Sequence, residues 1–416
     1  MKGHVLRRGM KWAYMFDGPP DPLTRKRRQI TKSGFETEAE AWKACRKAMQ
    51  QAEAGRLVRS SKRKLGEFLT DEWLPAMKHV IKPTTLASYE DYTRAYIVPV
   101  LGNVRLQEQL TARRLAAFYD HLLTSGRTKR DGGLSPKTVR NIHVMLRKAL
   151  GDAMAWDYLV ANPAAQVRPP RLTRRLPTVW DPGNASRFLV RAVDDRFYGL
   201  YLIAATTGMR RAELCGLRWP AVDLEGGHLL VATTRVVVRG HAQDSDETKS
   251  IRSHRRISID PVTVEALRRR RASQDEERMA FGDQFRATDL VFTWEDGRPP
   301  HPDVIRQRFQ RLIKRLGLPV IRLHDLRHTY ATIALAAGVN PKVVSERLGH
   351  ASVAFTLQQY SHVLPSVDEE AAKKVADLML GRRPVSRSVS RQALDSNQGA
   401  HRVDERPGHG GSGGRI

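Results

Sequence analysis

The sequence predicts a multidomain, mainly α-helical protein with small β elements, and three observations lead there. At 416 residues the chain is too long for one compact core and long enough for two or three domains. Apolar residues recur at helical spacing over most of its length, whereas strict alternation is confined to short stretches near the N-terminus and in the second half. Lys and Arg number 71 against 44 acidic residues, giving a formal charge of +27 and a pI near 10.6, which suits a polyanionic partner. Nucleic acid leads, and an anionic membrane surface is the rival. The rival is weakened because no run of about 18 apolar residues occurs and Met1 to Phe16 is too charged for a signal peptide. The expectation is a soluble, cytoplasmic protein without membrane contact.

Residues 1–59 read as a small β-then-helix unit. Trp12, Tyr14 and Phe16 alternate, which places three aromatics on one strand face. A turn follows at Gly18-Pro19-Pro20-Asp21-Pro22, and then a second strand holding Arg25, Lys26, Arg27 and Arg28. Thr37 with Glu40 three residues later forms a capping box, which opens a helix from Glu38 to about Ala54. The first 64 residues hold 17 Lys or Arg against 6 acids, so the basic excess is concentrated here. On its own such a charge run is a solvated face.

Residues 62–167 turn helical. Apolar stripes pass through Phe68, Leu69, Trp73 and Leu74, through Tyr89, Tyr92, Ile97 and Val98, through Leu110, Leu115, Phe118, Leu122 and Leu123, and through Val139, Ile142, Met145, Leu146, Leu150 and Met154. Four or five helices of this kind bury one core. Residues 168–176 read as a linker, since Pro169-Pro170 cannot continue a helix.

Residues 177–380 form the second large unit. A helix from Tyr198 to Ala205 breaks at Thr206-Thr207-Gly208, and a second helix carries Glu213, Leu214, Leu217 and Trp219, with Arg210 in its first turn. Strands are expected at Leu229 to Val237 and Arg256 to Ile259, with Lys249 at the tip or edge between them. His324 and Arg327 are three apart and share a helix face, which also presents His328. Gly338 to Thr356 scans as a helix-turn-helix, which read alone suits a noncatalytic DNA-binding regulator. A last helix, Val367 to Leu380, carries Val367, Ala371, Val375, Leu378 and Met379. Residues 381–416 are too rich in Arg, Ser, Gly and Asp to order themselves.

Cys45 and Cys215 are the two cysteines, and without a Cys-x-x-Cys partner neither supports a disulfide framework or a thiolate metal site. No GxxxxGK[ST], GxGxxG after a strand, or HExxH occurs, so the reaction is expected to need no metal, nucleotide or other cofactor. His324 and His328 at i, i+4 could ligate a metal, but the glutamate of a metalloprotease helix is missing and Arg327 would set a cation beside the ion. What remains is a set of cationic and imidazole donors, Arg210, Lys249, His324, Arg327 and His350, followed by Tyr360 ten residues after His350. Such a set suits attack on a phosphodiester. Fixed cations meet the charge spread over the phosphoryl oxygens, and the tyrosine supplies the nucleophile.

These strings resemble the tyrosine recombinase (phage integrase) family, from about Leu176 to Leu380. TGMRRAE matches the family's first arginine motif at Arg210 and leaves Arg211 outside it. Lys249, followed by S-x-R-R-I-x-I, matches the hairpin lysine; HDLRHT supplies His324 and Arg327; LGH supplies His350; and Tyr360 follows. The strings TTLASYEDYTRAYIVPVLGNVRLQEQL and LSPKTVRNIHVMLRKALGDAMAWDYLVANP resemble the family's core-binding domain.

The resemblance implies an arm-type DNA-binding domain of sheet plus helix, an all-helical SAM-like core-binding domain, and a mixed α+β catalytic domain. It also implies a 3′-phosphotyrosyl intermediate. Arg210, Arg327 and His350 would stabilise the phosphorane-like charge, and Lys249 would protonate the leaving 5′ oxygen. His324 would donate to the phosphate and accept a proton near the nucleophile, leaving His328 and Thr329 to support or packing. DNA contacts are expected at Arg25, Lys26, Arg27 and Arg28 and, on the core-binding domain, at Lys137, Arg140, Arg147 and Lys148. The implied partners are double-stranded attachment sites, a homotetramer on DNA and, as accessories, an excision factor and a DNA-bending protein. The implied role is integration or excision of a phage or mobile element. A Xer-type recombinase and a type IB topoisomerase share the constellation.

Overall fold

The computed structural model describes residues 2–18, 28–53, 62–128, 130–173, 177–245, 254–360, 372 and 375–380. At the N-terminus, strands β1 (Gly3–Arg8), β2 (Lys11–Gly18) and β3 (Arg28–Phe35) form an antiparallel sheet in that order, covered by helix α1 (Glu38–Glu53). The capping box is present: the Glu40 amide donates to Thr37 Oγ1 at 3.2 Å, and the Thr37 amide donates to Glu40 Oε2 at 3.4 Å. Tyr14 and Phe16 pack with Cys45 beneath the helix, but Trp12 is only half-buried. The pairing of β2 with β1 runs unbroken from Trp12 to Phe16, so the three aromatics keep the expected alternation; the irregularity lies in β3, where Gly34 is the extra residue opposite the Trp12–Ala13 step. Strand β1 has no counterpart in the sequence reading, and β3 begins at Arg28, where the expected second strand ends. Arg25, Lys26 and Arg27 lie outside the described residues, as does the turn beyond Gly18.

The helical unit that follows is built from α2 (Leu65–Glu67), α3 (Leu74–Met77), α4 (Pro83–Tyr92), α5 (Val98–Leu101), α6 (Ala112–Ser125) and α7 (Pro136–Ala155). The stretches Phe68–Trp73 and Thr93–Ile97 are π-helical and fuse α2 to α3 and α4 to α5. Each lies just before a proline, Pro75 or Pro99. Proline has no N–H to give and its ring crowds the carbonyl four residues back, so the wider turn lets the helix continue. Four long helical rods result. Their shared core centres on Trp73, which stacks on Tyr89 at 5.7 Å and donates its Nε1–H to Asp152 at 2.7 Å.

The larger unit begins with Trp180 and helices α8 (Pro182–Arg191) and α9 (Tyr198–Thr207), then the short α10 (Arg211–Cys215). Helix α10 stops at Gly216, so Leu217 and Trp219 lie beyond it and not within a longer helix. The backbone of Thr234 and Arg235 passes within 3 Å of where a Gly216 Cβ would stand, and blocks any continuation. Strands β4 (Val222–Asp223), β5 (His228–Val231) and β8 (Arg255–Ser258) form one antiparallel sheet, while β6 (Thr234–Val238) and β7 (His241–Ser245) form a hairpin. The single strand expected from Leu229 to Val237 is thus two, parted at Ala232-Thr233, where Thr233 Oγ1 turns to donate to the Gly216 carbonyl at 2.5 Å. Strand β7 was not expected, and Lys249 lies outside the described residues.

Helices α11 (Pro261–Phe281), α12 (Pro302–Arg315), α13 (Asp325–Ala336), α14 (Pro341–Leu348) and α15 (Val353–Tyr360) complete the unit. Its core is an aromatic cluster of Trp180, Phe188, Tyr201 and Phe309, with ring centroids 5.1 to 6.0 Å apart. A second small core joins Ala331, Leu335, Val344, Leu348 and Tyr360, so the helix-turn-helix outline of α14 and α15 is folded into the body of the protein. Of the last expected helix, Val375, Leu378 and Met379 are described, and all three are exposed. No helix among the described residues is long and apolar enough to cross a membrane.

Replacing Trp73 by alanine empties the centre of the four-rod core and should cost about 3–5 kcal/mol in a urea unfolding titration. A loss below about 1 kcal/mol would contradict the central packing role given to Trp73.

Candidate active site

Four segments distant in sequence carry the site, and hydrogen bonds tie each to the next. Helix α9 ends at Gly208, whose φ of 67° is left-handed; an added Cβ would come 2.5 Å from Leu348 and 2.7 Å from Tyr330. The sharp exit makes Arg210 the N-cap of α10, one residue before the helical turn in which it was expected. Its amide donates to Glu213 Oε2 at 2.8 Å and its Nη1 to Glu213 Oε1 at 2.7 Å. Arg255 of β8 grips the same carboxylate from the other side, Nη1 to Oε1 at 3.1 Å and Nη2 to Oε2 at 2.9 Å. Burial alone would raise the Glu213 pKa, but bonds and charge from Arg255, with Arg210, outweigh it and hold the group ionised below the usual carboxylate range.

From this anchor a closed circuit runs. Arg327, buried on the first turn of α13, donates Nη1 to the carbonyl of Gly208 at 2.8 Å, just upstream of Arg210. Arg210 donates Nη2 to the carbonyl of Gly349 at 2.8 Å, just upstream of His350. His350 Nδ1 meets Thr356 Oγ1 at 2.8 Å on the helix that ends in Tyr360. The Tyr360 hydroxyl meets His328 Nδ1 at 2.7 Å, one residue after Arg327. Arg255 braces the second link by donating Nε to the Arg347 carbonyl, two residues before Gly349, at 2.7 Å. A guanidinium carries five N–H donors, so these ties leave Arg210 and Arg327 further donors for a ligand.

The electrostatics suit an incoming anion. Burial, then the neighbouring Arg210, pushes the Arg327 pKa down to about 9, still cationic at neutral pH. Burial, then the charges of Arg327 and Arg210, lowers His350 to about 3. Burial, then His328 and Arg327, lowers His324 to about 4. Tyr360, only 1% exposed, is pushed up to about 12 by burial against the opposing pull of Arg327, so its hydroxyl is protonated. The carboxylate of Glu213 is saturated by two arginines. An arriving phosphate would therefore find uncompensated positive charge around a phenol.

The fold thus brings Arg210, His324, Arg327, His350 and Tyr360 together. His324 caps α13 and lays its ring edge-on to His328 at 5.6 Å; among the described residues it is His328, and not His324, that bonds the phenol. Thr329 is buried, its Oγ1 accepting from the Trp180 amide at 3.2 Å. Arg211 turns away and pairs with Asp303 at 2.9 Å. Lys137, Arg140 and Arg147 are exposed on one face of α7, and Lys148 beside them is half-buried in an ion pair with Asp152 at 3.0 Å. The side chain of Arg28 is not described. Among the described residues no cluster of three or more His, Cys, Asp or Glu could hold a metal, and Tyr360 already occupies His328 Nδ1.

The sequence reading missed Thr356 and Arg255. Thr356 had a usable signal, since it stands four residues before Tyr360 and so shares its helix face. Arg255 had none, because its partners are 42 and 92 residues away.

Comparison with known proteins matches residues 187–366 to the phage integrase family, 65–123 to the phage integrase N-terminal SAM-like domain, and 5–52 to the arm DNA-binding domain. The chain is 29% identical over 275 residues to the ICEBs1 integrase of Bacillus subtilis, covering 65% of this chain and 72% of that one. It is 30% identical over 236 residues to a tyrosine recombinase XerC of Xylella fastidiosa, covering 56% and 71%. Among solved structures, the Tn1549 transposon integrase in complex with a circular intermediate DNA superposes with a TM-score of 0.61 at 20% identity, covering 76% of this chain and all of that one. A lambda integrase tetramer bound to a Holliday junction gives 0.53 at 18% identity, covering 86% and 94%. At these identities the structures speak for the fold.

Two outcomes follow from the geometry. Gly208→Ala forces a left-handed alanine against Leu348 and should destabilise the protein by about 1–3 kcal/mol in a chemical melt; an unchanged midpoint would refute the close approach. His350 and His324 have folded-state pKa values below their ordinary 6.5. The unfolded chain therefore binds their protons first, and stability is complete above about pH 6.5 and falls as pH drops toward about 4 and about 3. The melting temperature should decline between pH 7 and pH 5, less steeply in His350→Gln, and equal slopes in the two proteins would contradict the burial of a neutral His350.

Proposed function

The chain belongs to the tyrosine recombinase (phage integrase) family, whose members cut and rejoin DNA strands in site-specific recombination, and from that premise we propose that Tyr360 is the nucleophile. Its oxygen attacks the scissile phosphorus, the bond to the 5′ oxygen breaks, and a 3′-phosphotyrosyl link remains. The freed 5′ hydroxyl of a partner strand later reverses the step. Phosphodiester bond energy is kept in the covalent link, so nucleotide hydrolysis is unnecessary.

Arg210 and Arg327 direct their remaining N–H donors at the nonbridging oxygens. With Thr356 donating to its Nδ1, His350 carries its proton on Nε2 and offers a third donor. Lys249 protonates the leaving oxygen, and His324, at the mouth of α13, donates to the phosphate. The observation that carries this reading is the Tyr360 hydroxyl, held by a hydrogen bond inside the charge field of Arg327 although the donors come from segments up to 150 residues apart.

The substrate is double-stranded DNA at attachment sites of a mobile element or phage. The N-terminal unit suits arm-type sites, and the exposed cations Lys137, Arg140 and Arg147 suit core-site phosphates. Arg25, Lys26, Arg27 and Arg28 add four basic side chains to the sequence of that unit and would contact arm-site DNA. A homotetramer on DNA fits the assembly of the lambda integrase on a Holliday junction, and the exposed stripe Val375, Leu378 and Met379 is suited to exchange between protomers. An excision factor and a DNA-bending protein are the accessory partners that arm-site binding calls for. The arm unit favours an integrase over a Xer-type resolvase, and removing residues 1–59 should abolish integrative recombination.

Incubated with a nicked attachment site, the protein should form a denaturation-resistant adduct. Tyr360→Phe should form none while binding the same DNA, and Arg210→Ala or Arg327→Ala should slow adduct formation by about 10² to 10³. Adduct formation by Tyr360→Phe would sink the proposal. Binding should weaken with salt at a slope of roughly −0.9 per neutralised phosphate.

A further inference from the structure

We propose that His328 is the proton acceptor for Tyr360, a role that rests on the reading of Tyr360 as nucleophile. Its Nδ1 stands 2.7 Å from the phenolic oxygen, and among the described residues no other side chain hydrogen bonds that hydroxyl. The two rings meet at 5.9 Å with a 51° tilt, so the contact is made at the ring edge where the nitrogen lies. His324 reaches His328 and not the tyrosine.

The surroundings equip His328 for the task. It lines an open cavity of about 540 Å³ together with Asp325, Arg322, Gln359, Pro177 and Thr178, which puts the ring in reach of water. Among the described residues the charged and titratable groups around it are Tyr360 from α15, His350 from the turn before that helix, Asp325 and Arg327 from α13, His324 at its N-cap, and Arg322 just before it. Burial foremost lowers its pKa, Arg327 and Arg322 add to the effect, and Asp325 opposes it. The ring is thus unprotonated and free to accept at neutral pH. Asp325, fixed by Arg322 at 2.7 Å, favours the imidazolium once it forms. Tyr360 needs such help because phenolate is scarce at neutral pH when its pKa is about 12.

The step balances. The Tyr360 oxygen bonds to phosphorus, the bond from phosphorus to the 5′ oxygen breaks, the phenolic proton passes to His328 Nδ1, and the leaving oxygen takes a separate proton from Lys249. On rejoining, the incoming 5′ hydroxyl gives its proton to Lys249, left neutral by cleavage, its oxygen bonds to phosphorus, and the released Tyr360 oxygen takes back the proton held by His328.

Single-turnover cleavage of a nicked site, followed from pH 5.5 to 9.5, tests the assignment. His328→Asn, which can hydrogen bond but not accept a proton, should cleave about 10²-fold more slowly at pH 7. Its rate should then climb with pH as phenolate forms unaided. A substrate with sulfur in place of the leaving 5′ oxygen needs no general acid; it should restore a Lys249→Ala enzyme and leave His328→Asn slow. Wild-type rate and pH dependence in His328→Asn, or its restoration by the sulfur substrate, would overturn the proposal. If His328→Asn loses DNA binding, the near-isosteric, weakly basic triazolylalanine at position 328 replaces it, and an undiminished rate there counts equally against it. Tyr360→Phe run alongside separates the two readings: an adduct from that variant means that the nucleophile, and not its base, was misassigned.

Discussion

The serial tie of two arginines to two backbone carbonyls is the constraint on which the rest of the site depends. Arg327 holds the Gly208 carbonyl and so sets where Arg210 emerges, and Arg210 holds the Gly349 carbonyl and so sets where His350 emerges. Each cation positions the next functional residue while keeping donors of its own in reserve. Both carbonyls belong to glycines in left-handed backbone, the conformation that lets a helix stop abruptly and turn its last carbonyl toward a neighbouring segment.

Crowding cations in a buried place is costly, and the protein offsets the cost with one carboxylate. Glu213 lies between Arg210 and Arg255 and is itself buried, so it cannot serve as a proton carrier without unpairing both. Among the described residues no carboxylate lies within hydrogen-bond reach of Arg327, and the acceptor of its Nη1 is the neutral Gly208 carbonyl. That imbalance keeps the pocket receptive to phosphate. Burial first, and then the same field, depresses the histidines, so the imidazoles are neutral and act as directional donors or acceptors more than as charges.

Much of this was legible in the chain because the boxes sit at the ends of helices, where short motifs dictate local geometry. HDLRHT brings His324 and Arg327 to the start of one helix, although His324 stands at its N-cap and not within it, and Gly208 and Gly349 announce their turns. Thr37 and Glu40 likewise gave the start of α1 correctly. What was not legible depends on contacts across long separations. The split of β5 from β6 follows from Thr233 reaching the Gly216 carbonyl, and the shortness of α10 from a strand crossing its end, neither of which leaves a periodicity to read. His328 was set aside for packing because its place beside Arg327 tells nothing of a tyrosine 32 residues later.

The central claim is that the chain by itself closes the circuit, with the Tyr360 hydroxyl buried and hydrogen bonded. Titration of the DNA-free protein carrying tyrosine labelled with carbon-13 at the ring carbon bonded to oxygen reads this directly, the Tyr360 signal being assigned by its loss in Tyr360→Phe. The account predicts that this signal stays in the phenol position through pH 10.5, on the way to a pKa of about 12. A midpoint near the ordinary value of 10.0 would mean that the tyrosine is free in solvent and the circuit open.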